Sequence, residues 1–265
     1  AKAAGFDYIE ISIDETDTKL ARLDMSKEER LELVRLMMVT GVPIRSMCLS
    51  GHRRYPLGSN DPEVEKRGME IMEKAIQLAE DLGIRIIQLA GYDVYYEDSS
   101  FETKKRFLKN LKKATHMAEK AGVVLGFETM ETEFMNTVEK AMKYTTLVDS
   151  PYLNVYPDIG NITNAAIEYK NDVLEDMMIG KGHLCAMHLK ETVPGKFREI
   201  PFGTGHVNFK EAIALAWQLG IRKYVTEFWY VGNENWKEDL VFAHDMFEKM
   251  LDEQMTGKDE KNVES

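Results

Sequence analysis

Seven apolar, β-rich runs recur along this chain, and amphipathic segments of helical period lie between them. The runs are GFDYIEISID (5–14), VPIRSMCLS (42–50), GIRIIQLAG (83–91), GVVLGFETM (122–130), PYLNVYPDIG (151–160), HLCAMHLKE (183–191) and RKYVTEFWY (222–230). Strands that are apolar almost throughout are buried on both faces, which is the pattern of a parallel sheet covered by helices. The expected fold is therefore α/β, either a doubly wound sheet or a (β/α)8 TIM barrel. The strand ends, near Glu10, Leu49, Leu89, Glu128, Pro157, His188 and Glu227, recur every ~30 to 40 residues, as barrel units do. No glycine-rich phosphate loop follows the first strand, so the barrel is preferred.

The helical segments carry their own start and stop signals. SKEERLELVRLMM (26–38) opens on Ser26 with Glu29 three residues on, a capping box. The segments 61–83 and 101–122 each stop at a glycine, as does NFKEAIALAWQLG (208–220). The opening AKAAGFDYIEIS reads as the end of a helix entering a second strand, so an upstream strand and most of a helix are expected before residue 1. No Pro/Gly/Ser-rich linker interrupts the chain. One catalytic domain is expected over 1–255, with a frayed tail over 256–265.

Composition excludes several classes. At 44% hydrophobic the chain is too apolar for disorder. Its net charge of −11 argues against a nucleic-acid partner, since phosphate backbones select basic faces. No apolar run approaches the ~20 residues of a membrane span, and no secretory signal pattern opens the chain. The two cysteines, Cys48 and Cys185, lie in apolar runs, which suits buried thiols in a reducing cytoplasm.

In a barrel of this kind the carboxyl ends of the strands converge on one mouth. Four titratable residues stand there: Glu128 in GFETM, Asp158 in YPDIG, His188 in AMHLKE and Glu227 in VTEFW. Each alone could cap a helix or sit satisfied in the core. Together they offer three carboxylates and an imidazole, a set suited to a divalent cation such as Mn²⁺, Mg²⁺, Co²⁺ or Zn²⁺.

The chain resembles the L-ribulose-5-phosphate 3-epimerase family (also called L-xylulose-5-phosphate 3-epimerase) of xylose isomerase-like barrels. The resemblance runs through GFDYIEISIDETDTKLARLD, MCLSGHRRYPLGS, KAIQLAEDLGIRIIQLAGYDVYY, YPDIGN, HLKETVPGKF and PFGTGHVNF. It implies that Glu128, Asp158, His188 and Glu227 are the metal ligands, and that Glu128 and Glu227 also move the proton. The implied reaction interconverts L-ribulose 5-phosphate and L-xylulose 5-phosphate through an enediolate, which requires a stabilising cation and an acid/base group on each face. Alternatives are an epimerase or isomerase of unphosphorylated sugars or of a hexulose 6-phosphate, and, outside catalysis, a binding module. A zinc endonuclease is disfavoured by the acidic balance and by only six histidines.

A phosphorylated ketopentose would give an acidic protein reason for a basic spot. His52, Arg53 and Arg54 follow the second strand; Lys190, Lys196 and Arg198 follow the sixth. Either cluster suits an oxyanion. Glu10, Gln88, Asn161 and His206 are further candidates for substrate contact, and Tyr92, Tyr95 and Tyr96 for pocket walls. A homodimer is left open.

Overall fold

The computed structural model describes residues 1–256. Seven strands form among them: β1 (Ile9–Ser12), β2 (Ile44–Leu49), β3 (Ile86–Ala90), β4 (Val124–Glu128), β5 (Leu153–Tyr156), β6 (Met187–Leu189) and β7 (Tyr224–Thr226). Each falls inside one of the apolar runs. β1 to β5 pair in sequence order, all parallel, and β6 pairs parallel with β7. Two isolated parallel bridges, Val155 to Leu184 and Asp158 to His188, carry the curved wall from β5 to β6. Between β7 and β1 the Tyr8 hydroxyl donates to Tyr224 O at 2.7 Å.

Helices cover this wall: α1 (Asp17–Leu20), α2 (Lys27–Thr40), α3 (Pro62–Leu82), α4 (Phe101–Ala121), α5 (Val138–Val148), α6 (Ile159–Tyr169), α7 (Val173–Ile179), α8 (Phe209–Gln218) and α9 (Trp236–Thr256). The expected capping box of Ser26 and Glu29 opens α2. Gly83 and Gly122 end α3 and α4 with φ of 72° and 65°, backbone that glycine adopts without a Cβ penalty. Ile71, Ala75, Leu78 and Ala79 of α3 and Leu111, Ala114 and Ala118 of α4 are fully buried against the strands. Their three- and four-residue spacing is the helical apolar stripe read in reverse.

The structure departs from the sequence reading at the end of the chain. Thr256, where the tail was expected to begin, is the last residue of α9. Residues 257–265, the rest of the expected tail, lie outside the described residues. The run 151–160 also holds a strand end and a helix start: β5 stops at Tyr156, and Asp158 caps α6, which begins at Ile159. Cys48 and Cys185 are free and half-buried. No helix among the described residues is long and apolar enough to cross a membrane.

Candidate active site

Each of the four titratable residues is placed by a different strand end. Glu128 closes β4 and His188 lies within β6, whose backbone N donates to Pro157 O at 2.9 Å. Glu227 follows β7, tied by its own N to Leu189 O at 2.9 Å. Asp158 is the N-cap of α6: its Oδ1 accepts from Asn161 N at 2.8 Å. The capping role uses one oxygen and leaves Oδ2 for the mouth.

One ligand atom from each of Glu128, Asp158, His188 and Glu227 lies within 4.8 Å of the others. A cation bound at ~2.0 to 2.6 Å spans such separations. His188 Nδ1 is 3.3 Å from both Glu128 Oε1 and Glu227 Oε2 and 3.8 Å from Asp158 Oδ2. Asp158 Oδ2 and Glu227 Oε2 are buried without a hydrogen bond. Buried carboxylate oxygens lacking donors are costly unless a charge meets them, and here the charges available are His188 and Lys190. Lys190 Nζ is 2.9 Å from Asp158 Oδ2 and 3.6 Å from Glu227 Oε2, close as an ion pair although poorly aligned as a donor. The donor set fits a divalent cation.

The electrostatics separate the carboxylates. Burial raises Glu128, outweighing the opposing His188 and Lys190. Burial likewise pushes Asp158 up to about 7, with Lys190 acting against it. For Glu227 burial is overturned by the Lys190 ammonium and by the nearby His188 imidazole, and the net direction is downward. Lys190 itself is buried, which disfavours its charge, yet Asp158, Glu227 and Glu128 together drive its pKa upward.

The other expected contact residues divide into three groups. Glu10 and Gln88 reach the site and bond to its donors. Glu10 Oε1 is 2.7 Å from His188 Nε2, and Glu10 Oε2 accepts from Tyr156 OH at 3.0 Å. Gln88 Nε2 donates to Glu128 Oε2. Both side chains are thus bonded to members of the cluster. Asn161 ties α6 to β4 through Nδ2 donating to Thr129 O at 2.7 Å.

A second group is engaged with other protein groups or lies on the surface. His52 is buried with Nε2 donating to Gly68 O at 3.0 Å, so it packs against α3 and offers nothing to a substrate. Arg54 extends along the surface to Asp17 Oδ1 at 2.8 Å. Lys190 points into the cluster of carboxylates instead of toward a phosphate loop, while Lys196 stays exposed. His206 is bonded to Thr192 Oγ1 at 2.9 Å. These contacts were not legible in the sequence, and for His52 and Arg54 the 3-10 turn over Ser50–Arg53 sends successive side chains in different directions.

A third group forms a chain across the mouth. Arg53 donates to Tyr92 OH at 3.4 Å, Tyr92 OH donates to Glu131 Oε2 at 3.1 Å, and Arg198 donates to Glu131 Oε1 at 3.1 Å. Arg53 also packs over the Tyr92 and Tyr95 rings, 5.8 and 5.1 Å from their centroids, and pairs with Glu15 at 3.5 Å. Tyr96 OH donates to Glu15 as well. Glu15 and Glu131 were not singled out from the sequence. Their positions in loops directly after β1 and β4 were the available signal.

Residues 1–246 match the family described as the xylose isomerase-like TIM barrel, and the chain belongs to it. Within that class the chain is 46% identical over 246 residues to L-ribulose-5-phosphate 3-epimerase UlaE of a strain of Escherichia coli, covering 92% of this chain and 85% of that protein. The corresponding protein of Salmonella paratyphi C is 47% identical over the same shares. Among solved structures, a D-tagatose 3-epimerase-like protein matches with a TM-score of 0.77 at 18% identity, covering 96% of this chain and 91% of that one. That last likeness concerns the fold.

Proposed function

We infer that this protein is a divalent-metal-dependent 3-epimerase interconverting L-ribulose 5-phosphate and L-xylulose 5-phosphate. The observation that carries the reading is the meeting of Glu128, Asp158, His188 and Glu227 within 4.8 Å, in a chain 46% identical to a protein named for that activity.

A cation held by those four would supply the positive charge that makes a proton beside the substrate's ketone removable. Mn²⁺, Mg²⁺, Co²⁺ and Zn²⁺ are all compatible with a mixed carboxylate and imidazole set. The chain's own groups do the rest. Inversion at C3 needs a proton taken from one face and another delivered to the opposite face. Glu128 and Glu227 come from β4 and from beyond β7, strands separated along the wall, and would flank the two faces of the bound sugar. Glu227 is the more open of the two, with 28% of its side chain exposed against 5% for Glu128. Gln88 and Glu10 keep Glu128 and His188 oriented throughout. Arg198 and Arg53 are the guanidiniums that would meet the phosphate, with Glu131 and Tyr92 holding them beforehand.

The test is NMR of L-ribulose 5-phosphate in D₂O with the protein and Mn²⁺. Deuterium at C3 and a growing second epimer are expected. Absence of both overturns the reading, and equal rates on unphosphorylated L-ribulose overturn its phosphate part.

A further inference from the structure

The least expected member of the site is Lys190. It is 4% exposed and lies two residues beyond His188, so it projects to the same face of the strand's path. Its backbone is confined: a Cβ on Gly160, at the start of α6, would come within 2.6 Å of Lys190 O. α6 therefore presses directly on the Lys190 carbonyl. With the main chain so fixed, the ammonium stays among the carboxylates, 2.9 Å from Asp158 Oδ2 and 3.6 Å from Glu227 Oε2.

Resting on the metal reading above, we propose that Lys190 is the resident counter-charge of the four-donor site, holding Asp158 and Glu227 together without a cation and limiting how tightly a cation is held. The ammonium offsets one of the negative charges that Glu128, Asp158 and Glu227 bring together, and without it the same site would be more negative by one, with Glu10 adding a further carboxylate behind His188 at 2.7 Å. Like charges a few ångströms apart in a poorly hydrated site repel strongly, so an uncharged residue here would weaken the metal-free fold. The same substitution would remove a positive charge from beside the cation and strengthen its binding. These two effects are opposite in sign, and a merely structural lysine would not produce the second.

The experiment measures Mn²⁺ affinity by competition with a chelator, together with Tm in EDTA and in saturating Mn²⁺. It compares the wild type with Lys190→Gln, which keeps a donor for Asp158 without charge, Lys190→Met and Lys190→Arg. Lys190→Gln is expected to bind Mn²⁺ about tenfold or more tightly than wild type, with a lower Tm in EDTA and a larger rise on adding Mn²⁺. Lys190→Arg should restore both values. A neutral variant that folds only when Mn²⁺ is present also supports the proposal. A folded Lys190→Gln with unchanged or weaker Mn²⁺ affinity overturns it, as do neutral variants that stay unfolded at saturating Mn²⁺. A wild type that binds no divalent cation instead overturns the reading of the site itself.

Discussion

His188 is held on both edges of its ring: Nε2 is 2.7 Å from Glu10 Oε1, while Nδ1 faces Glu128 and Glu227 at 3.3 Å. Glu10 is fixed in turn by the Tyr156 hydroxyl at 3.0 Å, and the Tyr156 ring meets the imidazole edge-on at 4.7 Å. A histidine whose far nitrogen is bonded to a carboxylate has a set orientation and becomes a stronger ligand. Glu10→Leu is therefore expected to weaken Mn²⁺ binding roughly tenfold to a hundredfold, read by titration calorimetry on protein shown to be folded by circular dichroism. Glu10→Gln, which keeps an acceptor oxygen, should recover most of the loss. Equal affinity for all three forms would remove Glu10 from the site.

Glu227 separates ligation from proton transfer. In Glu227→Gln the amide oxygen can still bind a cation, but the side chain no longer accepts a proton. Mn²⁺ should still bind, and deuterium exchange at C3 should fall by a factor on the order of a hundred or more, the usual range for losing a positioned acid or base. Exchange at the wild-type rate would assign the proton to another group.

The two arginines of the mouth should report the phosphate. Arg198→Ala and Arg53→Ala are each expected to lower kcat/KM for L-ribulose 5-phosphate about tenfold to a hundredfold, since a charge-assisted bond to an anion contributes ~1.5 to 3 kcal/mol. The loss should shrink on L-ribulose. Arg54→Ala removes surface contacts to Asp17, Glu15 O and the Tyr55 ring and should leave kcat/KM within about twofold. If Arg54→Ala proved the most damaging of the three, the assignment of the phosphate would be wrong.

His52 links the opening of the β2 loop to acid stability. Burial pushes its pKa down to about 4, against a smaller opposing effect of the Gly68 hydrogen bond. The unfolded chain holds this proton up to pH ~6.5 and the native chain releases it above about 4, so the unfolded state binds more protons in between. Stability should therefore fall as pH drops from ~6.5 toward 4, by as much as ~3 kcal/mol from this residue. His52→Gln, which can still donate to Gly68 O, should flatten that slope in urea titrations. A slope identical to wild type would show that other groups govern the acid limb.

Much of this was legible in the chain itself. The buried strands had to be apolar on both faces, so their runs and spacing announced a covered parallel sheet. Helix limits followed from Ser26, Gly83 and Gly122 because capping is a local bond or a local φ. The four donors could be picked out because a charged residue at the end of an apolar strand has no local reason to be there. Partners were another matter. Glu10 meets His188 across 178 residues and Gln88 meets Glu128 across 40, distances along the chain over which no periodicity acts. His52, Arg53 and Arg54 are consecutive in sequence, yet one packs under α3, one crosses the mouth and one lies on the surface, because a 3-10 turn over Ser50–Arg53 sends successive side chains in different directions. Lys190 read as a loop cation until the closure of β5 onto β6 and the pressure of α6 placed it among carboxylates. Sequence alone determined which elements form and which residues stand at their ends; which side chains meet was decided by tertiary packing, since that depends on the curvature of the wall and on contacts that exist only once it has closed.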